Sequence, residues 1–442
     1  MALNRTPPNR AAPNQTAPNQ TALNRAAPEL AARNQTAPNQ AAVNRAASNQ
    51  AASNQAASNP AAADLAASNQ AAVNRAAPNR AGRPAVLRGR PGFRGRSASR
   101  ERPVVRGRPV LLVLRALGLG DLLTAVPALR GLRRAFPGHR LVLALPAALD
   151  GLVPLIGAVD ETLDVTGPGP VPLDRPDIAV NLHGRGPQST AALSRTDPGR
   201  LLAHAHPDFL SLPGPPWRPS MHEVDRWCEL LRWYGIPAQP ADLRLDPAGL
   251  LPGPAAPRPA AARPGADATP GPDPAGLAHG PGKVVVVHPG AASPARRWPA
   301  ERFAEVAAAL EHAGHRVIVT GNAAERSLAF RVGTLAGLPA ERVVAGRTDM
   351  RGLARLVANA GAVVCGDTGV AHLATAFATP SVVLFGPAAP AQWGPPPTGR
   401  HVALWAGRHG DPHGNRPDPG LMEIGVEAVL DAAVNLLGVS VR

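Results

Sequence analysis

Two cysteines in 442 residues, Cys228 and Cys365, stand far apart and outside any Cys-x-x-Cys or Cys/His ligand spacing. That scarcity argues against a disulfide scaffold and a structural zinc site, and it fits a reducing compartment. No apolar run approaches the ~20 residues of a membrane-spanning helix, and the N-terminus lacks the apolar core of a secretory signal. The folded part is therefore expected in the cytoplasm, with peripheral contact at the inner face of the cell membrane left open. No convincing metal-ligand constellation is legible, so neither a metal nor a cofactor is expected.

Net positive charge is scarce outside one region. The formal balance is +15, but residues 1–108 carry 16 basic and 3 acidic side chains, a net +13, which leaves +2 for residues 109–442. The first eighty residues repeat with period five, roughly Ala-Ala-Pro/Ser-Asn-Gln/Arg, from Asn4, Asn9 and Asn14 to Asn79, broken by Glu29 and Asp64. A pentapeptide-repeat β-helix needs an inward apolar residue in each coil, and only Leu30 and Leu65 supply it. Nothing then offsets chain entropy, and residues 1–108 are expected to be a disordered, low-complexity tail. Its Arg/Gly/Pro-rich end, Arg83 to Arg108, suits anionic headgroups or nucleic acid. A solvated linker is the plainer reading; no chemistry is placed there and nucleic acid is not expected as a partner.

From Pro109 the pattern changes. Val110-Leu111-Leu112-Val113-Leu114 reads as a buried strand, and a helix through Leu122, Val126, Leu129 and Leu132 follows the Gly118–Asp121 turn. Gly118 and Gly120 could open a dinucleotide fingerprint, but Leu123 stands where the third glycine belongs, which weakens a dehydrogenase reading. Strands over 140–145 and 177–182 and a helical stretch from Met221 through Leu231 complete a half over 109–246. The Pro/Ala/Gly-rich stretch 247–282 reads as an interdomain linker. A second alternation over 283–442 starts at Lys283-Val284-Val285-Val286-Val287, with further strands at 317–320 and 343–344. Its final helix, 426–437, is expected to pack back across the junction. The fold class is α/β: two Rossmann-like domains with mostly parallel sheets facing a cleft.

The densest chemical signal is Val363-Val364-Cys365-Gly366-Asp367-Thr368-Gly369-Val370-Ala371-His372. A strand stops at Gly-Asp-Thr-Gly and a helix begins, so free N–H groups and a positive dipole end would meet a phosphate there. Read alone, Asp367 or Thr368 equally well caps the helix, and His372 equally well packs.

With Trp393-Gly394-Pro395 downstream and Arg297-Trp298-Pro299 upstream, this unit resembles the donor-binding half of glycosyltransferase family 9, the ADP-heptose:lipopolysaccharide heptosyltransferase-like enzymes of GT-B fold. The resemblance runs over most of residues 110–437. Arg115-Ala116-Leu117-Gly118-Leu119-Gly120-Asp121, followed by Pro127-Ala128-Leu129, is similar to the family's Arg-x-x-x-x-Gly-Asp signature, which implies that Asp121 is the catalytic base. A carboxylate within reach of an acceptor hydroxyl can take its proton as the bond to the anomeric carbon forms. On the donor side, Val287 to Pro299 is similar to a segment that usually ends Lys-x-Trp-Pro, and Arg296 replaces the lysine thought to hold the diphosphate. Arginine keeps the charge and adds a bidentate reach.

The resemblance further implies that Ser293 adds a donor and that Glu325 contacts the nucleoside. Asp367, Thr368 and Gly369 cradle the diphosphate, and His372 donates to phosphate or a sugar hydroxyl. His183, Arg185 and Gln188 follow an N-terminal-half strand and are candidate acceptor contacts; His222 and Arg226, four apart on a helix, serve the same cleft or dress a surface. The implied activity is inverting, metal-independent transfer of a sugar, heptose in the family, from a nucleoside diphosphate sugar such as ADP-heptose. The acceptor is a hydroxyl on a glycan, a lipid-linked molecule or a small molecule. Other readings are another GT-B nucleotide-sugar enzyme such as an epimerase, a non-catalytic sugar-nucleotide binding protein, or nucleic-acid binding through the tail.

Overall fold

β1 (Val110–Leu114) has no polar side chain and is buried beyond its first residue, the pattern of a strand covered on both faces. α1 (Leu119–Thr124) and α2 (Val126–Ala135) follow; Pro127 sits in the first turn of α2, where its missing N–H has no intrahelical partner to lose. α2 turns Val126, Ala128, Leu129 and Leu132 inward, while Arg133 and Arg134 occupy its last turn, favourably placed against the helix dipole. Then come β2 (Arg140–Leu145), α3 (Val153–Ile156), β3 (Glu161–Asp164), β4 (Ile178–Asn181), α4 (Gln188–Ser194), β5 (Arg200–Leu202) and α5 (Glu223–Trp233). The five strands are parallel, in the order β3-β2-β1-β4-β5.

The second half repeats the plan with β6 (Val284–His288), α6 (Ala300–His312), β7 (Arg316–Val319), α7 (Arg326–Leu335), α8 (Met350–Asn359), β8 (Ala362–Gly366) and α9 (Gly369–Phe377). It continues with β9 (Ser381–Phe385), α10 (Pro390–Trp393), β10 (His401–Trp405), α11 (Pro419–Glu423) and α12 (Val426–Leu437). These strands are also parallel, in the order β10-β9-β8-β6-β7. The strand expected at 343–344 is reduced to a single parallel bridge between Val319 and Val343.

This computed structural model describes residues 107–250, 283–397 and 399–438. The tail expected over 1–108 lies outside the described residues except for Gly107 and Arg108, and so does 251–282 of the expected linker. Residues 247–250 form a short 3-10 turn with Leu250 buried. Among the described residues, no helix is long and apolar enough to cross a membrane.

Both halves fall within one compact unit, Ser97–Arg442. One continuous apolar cluster holds Leu111, Leu122 and Leu129 of the first half with Val363, Val370 and Leu373 of the second. α1 packs directly on α9, and Leu245 N donates to Ala376 O at 2.9 Å. Arg351 and Arg355 of α8 donate to Gly249 O and Leu250 O at 2.8 and 2.9 Å. The expectation for α12 is corrected. Val429, Ala433 and Leu437 bury themselves in the C-terminal half's own core beside Trp298 and Phe303, so the helix covers its own sheet instead of lying across the junction.

Candidate active site

The loops leaving the C-terminal ends of β1, β6, β7 and β8 surround a cleft of about 770 Å³, the place where a doubly wound sheet offers a ligand site. Asp121, Arg296, Glu325, Asp367, Thr368, Gly369 and His372 all line it.

Asp121 sits in the first turn of α1, its Oδ2 accepting from Gly118 N at 3.3 Å. Behind it lies the fully buried Arg115. Arg115 Nε donates to Asp121 O at 2.8 Å, and Nη2 approaches Asp121 Oδ1 at 3.3 Å, Thr124 Oγ1 at 3.1 Å and Glu223 Oε1 at 3.2 Å. Burial pushes the Asp121 carboxyl above its ordinary range; Glu223 adds to this, whereas Arg115, Gly118 N–H and Arg296 pull it back. A carboxylate held above its usual range is, in its charged form, a stronger proton acceptor.

On the opposite wall, Arg296 ends the short 3-10 turn Pro294–Arg296, its Nη1 3.8 Å from Asp367 Oδ2. Arg296 Nε is buried and has no hydrogen-bond partner in the protein, an open donor of the kind an anion satisfies. The Asp367 carboxyl is pushed up by burial and pulled down by Arg296. Its charge therefore faces the guanidinium, and among the described groups it orients Arg296 and does not itself present an anion site. Thr368 precedes α9 in extended backbone and its side chain makes no capping bond; Ala371 N donates to Thr368 O at 3.0 Å, and the first-turn residues Gly369 and Val370 stand at the cleft wall without a side-chain cap.

Glu325 is buried, not an exposed helix-start residue. It closes a reciprocal cap with Asn322: Glu325 N donates to Asn322 Oδ1 at 3.0 Å, and Asn322 N donates to Glu325 Oε2 at 2.9 Å. His288, at the end of β6, lies 3.9 Å from the same oxygen and 3.0 Å from Thr320 Oγ1; burial holds its imidazole below the ordinary range. Gly290 lets this carboxylate approach, since a methyl group there would stand 2.2 Å from Glu325 Oε1.

His372 meets the front wall. A methyl group at Gly120 would fall 2.6 Å from its Cδ2, so the glycine of the Gly-Asp signature makes room for the imidazole. Gly369 serves the reciprocal contact, because a methyl group there would stand 2.8 Å from Leu119 Cβ. Burial, with His222, Arg115 and Arg296 nearby, lowers His372 to about 4, while Glu223 opposes the shift. At neutral pH His372 thus offers a neutral N–H, not a positive charge.

Six candidate residues, Ser293, His183, Arg185, Gln188, His222 and Arg226, are not among those lining this cleft. Ser293 is buried and its hydroxyl donates to Pro412 O, which holds the loop that brings His409 and His413 to the cleft. Arg185 and Gln188 are exposed beyond β4, and His183 is half-buried beside Arg115 with its Nδ1 unpartnered; burial lowers it to about 4. Arg226 neither lines the cleft nor dresses a surface: it is buried, donating to Glu223 Oε2 at 2.9 Å and lying 3.9 Å over the Trp217 ring. His222 accepts from Val224 N at Nδ1, which fixes the proton on Nε2, and Nε2 donates to Gly394 O across the junction at 3.0 Å. Asn322, His409, His413 and Trp393 also line the cleft, beyond the residues expected there. The two histidines sit in a Gly/Pro-rich loop whose sequence carries no periodic signal. Both cysteines are buried, and burial pushes Cys228 up to about 12 and Cys365 higher, so neither is a reactive thiol.

His183, His204 and His372 all titrate near 4 through burial. In the unfolded chain a histidine takes its proton near 6.5. Between those values the unfolded state binds more protons, so stability present above about pH 6.5 is lost as pH falls toward 4. Asp121 and Asp367, raised by burial, pull the other way. The urea midpoint is expected to fall over this window, and His204→Gln to flatten the slope; an unchanged slope in that variant contradicts the assignment.

Two parallel α/β halves that meet at such a cleft define a GT-B-like fold. The family profile described as glycosyltransferase family 9 (heptosyltransferase) matches residues 218–419. Lipopolysaccharide heptosyltransferase 2 of Salmonella typhimurium is 35% identical over 102 residues, 22% of this chain and 29% of that protein. Lipopolysaccharide heptosyltransferase 1 of Pseudomonas aeruginosa is 35% identical over 126 residues, 28% of this chain and 32% of its own. The chain thus spans about a third or less of these curated relatives. Among solved structures, a family 9 glycosyl transferase from Veillonella parvula superposes with TM-score 0.58 at 19% identity, covering 75% of this chain and 97% of the other. E. coli ADP-heptose lps heptosyltransferase II gives 0.55 at 20% identity, covering 74% and 98%. At those identities the superpositions speak for the fold alone. Over residues 218–419 the chain is thus similar to the heptosyltransferase-like glycosyltransferase family 9.

Proposed function

We propose that the protein is an inverting glycosyltransferase that moves a sugar, heptose by family, from a nucleoside diphosphate donor, ADP by family, to an acceptor hydroxyl. The acceptor is a glycan, a lipid-linked molecule or a small molecule. One observation carries the reading: the Asp121 carboxyl and the Arg296 guanidinium, from opposite halves, line a single cleft. In this reading the diphosphate lies along Arg296 and the first N–H groups of α9, the Glu325 carboxylate accepts from ribose hydroxyls, and the neutral His372 donates to a phosphate or sugar oxygen. The acceptor oxygen forms its bond to the anomeric carbon as the bond to the diphosphate oxygen breaks, and its proton passes to Asp121. Arg296 and the helix amides stabilise the charge that develops on the departing diphosphate. Attack from the face opposite that group inverts the anomeric configuration. The reaction belongs in the cytoplasm, at the inner membrane face where the acceptor is lipid-linked.

The test is a panel of ADP-, GDP-, UDP- and dTDP-sugars, with and without lipid-linked and free glycan acceptors, followed by nucleoside diphosphate release and by NMR of the product anomer. One diphosphate per turnover, preference for an ADP-linked heptose and an inverted anomer are expected. Retained configuration, or binding with no release from any donor, sinks the proposal.

A further inference from the structure

Arg115 Nη2 carries two protons and faces three acceptors: Asp121 Oδ1 at 3.3 Å, Thr124 Oγ1 at 3.1 Å and Glu223 Oε1 at 3.2 Å. An undivided guanidinium–carboxylate pair closes to about 2.7–2.9 Å; here the contact to Asp121 stays long. Arg115 Nε goes to Asp121 O and Nη1 to Leu182 O, so Nη2 is the group through which Arg115 holds the carboxyl, whose other oxygen accepts from Gly118 N. Glu223 cannot drift from its share. It sits in the first turn of α5, is buried, and accepts from Trp227 Nε1 at 3.0 Å and from Arg226 Nε at 2.9 Å. Arg226 is fixed in turn by Arg218 O at 2.7 Å and Met221 O at 2.9 Å. Two buried cations and one buried anion thus stand in a row behind the exposed edge of Asp121.

We propose that Glu223 is a positioning residue for Asp121: by drawing on the Arg115 guanidinium it prevents a closed ion pair on the base and leaves an Asp121 oxygen open to the acceptor. The inference rests on Asp121 being the base. It concerns the local charge around that carboxyl, which Arg115 faces from the end of β1, Glu223 from α5, Arg296 from the turn after β6 and His372 from α9, with His183 beside Arg115. Removing the negative charge of Glu223 hands Arg115 to Asp121 and makes it a weaker base. Removing Arg226 frees Glu223 to draw harder on Arg115 and acts in the opposite sense. A residue that merely stabilises the fold produces no such opposition of sign.

The experiment uses the full chain, with wild type compared with Glu223→Gln, Glu223→Asp and Arg226→Gln after each is shown by circular dichroism to be folded. Two readouts are taken: the pH profile of kcat for donor turnover, and the ¹³C carboxyl titration of Asp121, assigned with Asp121→Asn. Glu223→Gln is expected to move the acid limb and the Asp121 midpoint to lower pH and to lower kcat roughly tenfold, with the donor KM within about twofold. Glu223→Asp restores the limb, and Arg226→Gln moves it upward. Unchanged profiles and titrations in the folded variants, or shifts of one sign for Glu223→Gln and Arg226→Gln, overturn the proposal. Where one variant does not fold, the sign in the other two decides. If wild type turns over no donor, the transferase reading falls, while the carbon titration still decides the role of Glu223.

Discussion

Asparagine in place of Asp121 is expected to cut sugar transfer by roughly 10²–10⁴-fold, the usual contribution of a positioned general base. The substitution keeps the side chain's shape, and the amide oxygen it leaves can still accept from Arg115 or from Gly118 N, the two partners of the native carboxyl. What disappears is the capacity to take a proton. Nucleoside diphosphate affinity should stay within about twofold, since the donors assigned to the diphosphate lie on the opposite wall. Diphosphate release in the presence of acceptor, paired with calorimetric titration of the nucleoside diphosphate, separates the two quantities. A variant that keeps more than about a tenth of wild-type kcat would remove Asp121 from the chemistry.

Arg296→Ala is the second large effect, a loss of about 10²–10³ in kcat/KM for the donor, comparable with removing one donor that faces developing negative charge. Two observations set that size: the orphaned, buried Nε and the 3.8 Å approach to Asp367 that holds the guanidinium in the cleft. Asp367, buried and deprived of its cation, would shift further toward the protonated form. Arg296→Lys should recover most of the loss, because an ammonium supplies the charge without the planar fork. Steady-state kinetics over a range of donor concentrations checks both variants, and an alanine variant with unaltered kcat/KM moves the diphosphate away from this wall.

Much of this architecture is legible in apolar runs. β1, β2 after Arg140 and β6 before His288 are continuous hydrophobic strings because both faces of each sheet are covered, and a string of that kind reads as a strand without alternation. The short edge strands are not legible. β3 reads Glu-Thr-Leu-Asp and is partly exposed, and β5 has three residues, so neither carries a hydrophobic period. In the site, the residues that sequence reveals are those in punctuated turns, such as Gly120-Asp121 and Gly366-Asp367-Thr368-Gly369. Glu223 escapes such a reading because its partner Arg115 lies 108 positions away, and only the fold joins them. The Ser293 hydroxyl invites a place at the diphosphate, yet it is occupied by Pro412 O. A sequence shows a donor group but not whether a nearby carbonyl has already claimed it.

The reciprocal fit of Gly120 to the His372 ring and of Gly369 to the Leu119 side chain makes the two lobes complementary castings. A hybrid built by grafting one lobe from a relative inherits only half of each fit, so the rim of either lobe can diverge freely only where it does not touch its counterpart. Diversification of acceptor and donor recognition is thereby directed toward the peripheral loops, and the seam between α1 and α9 acts as a fixed keystone around which they vary.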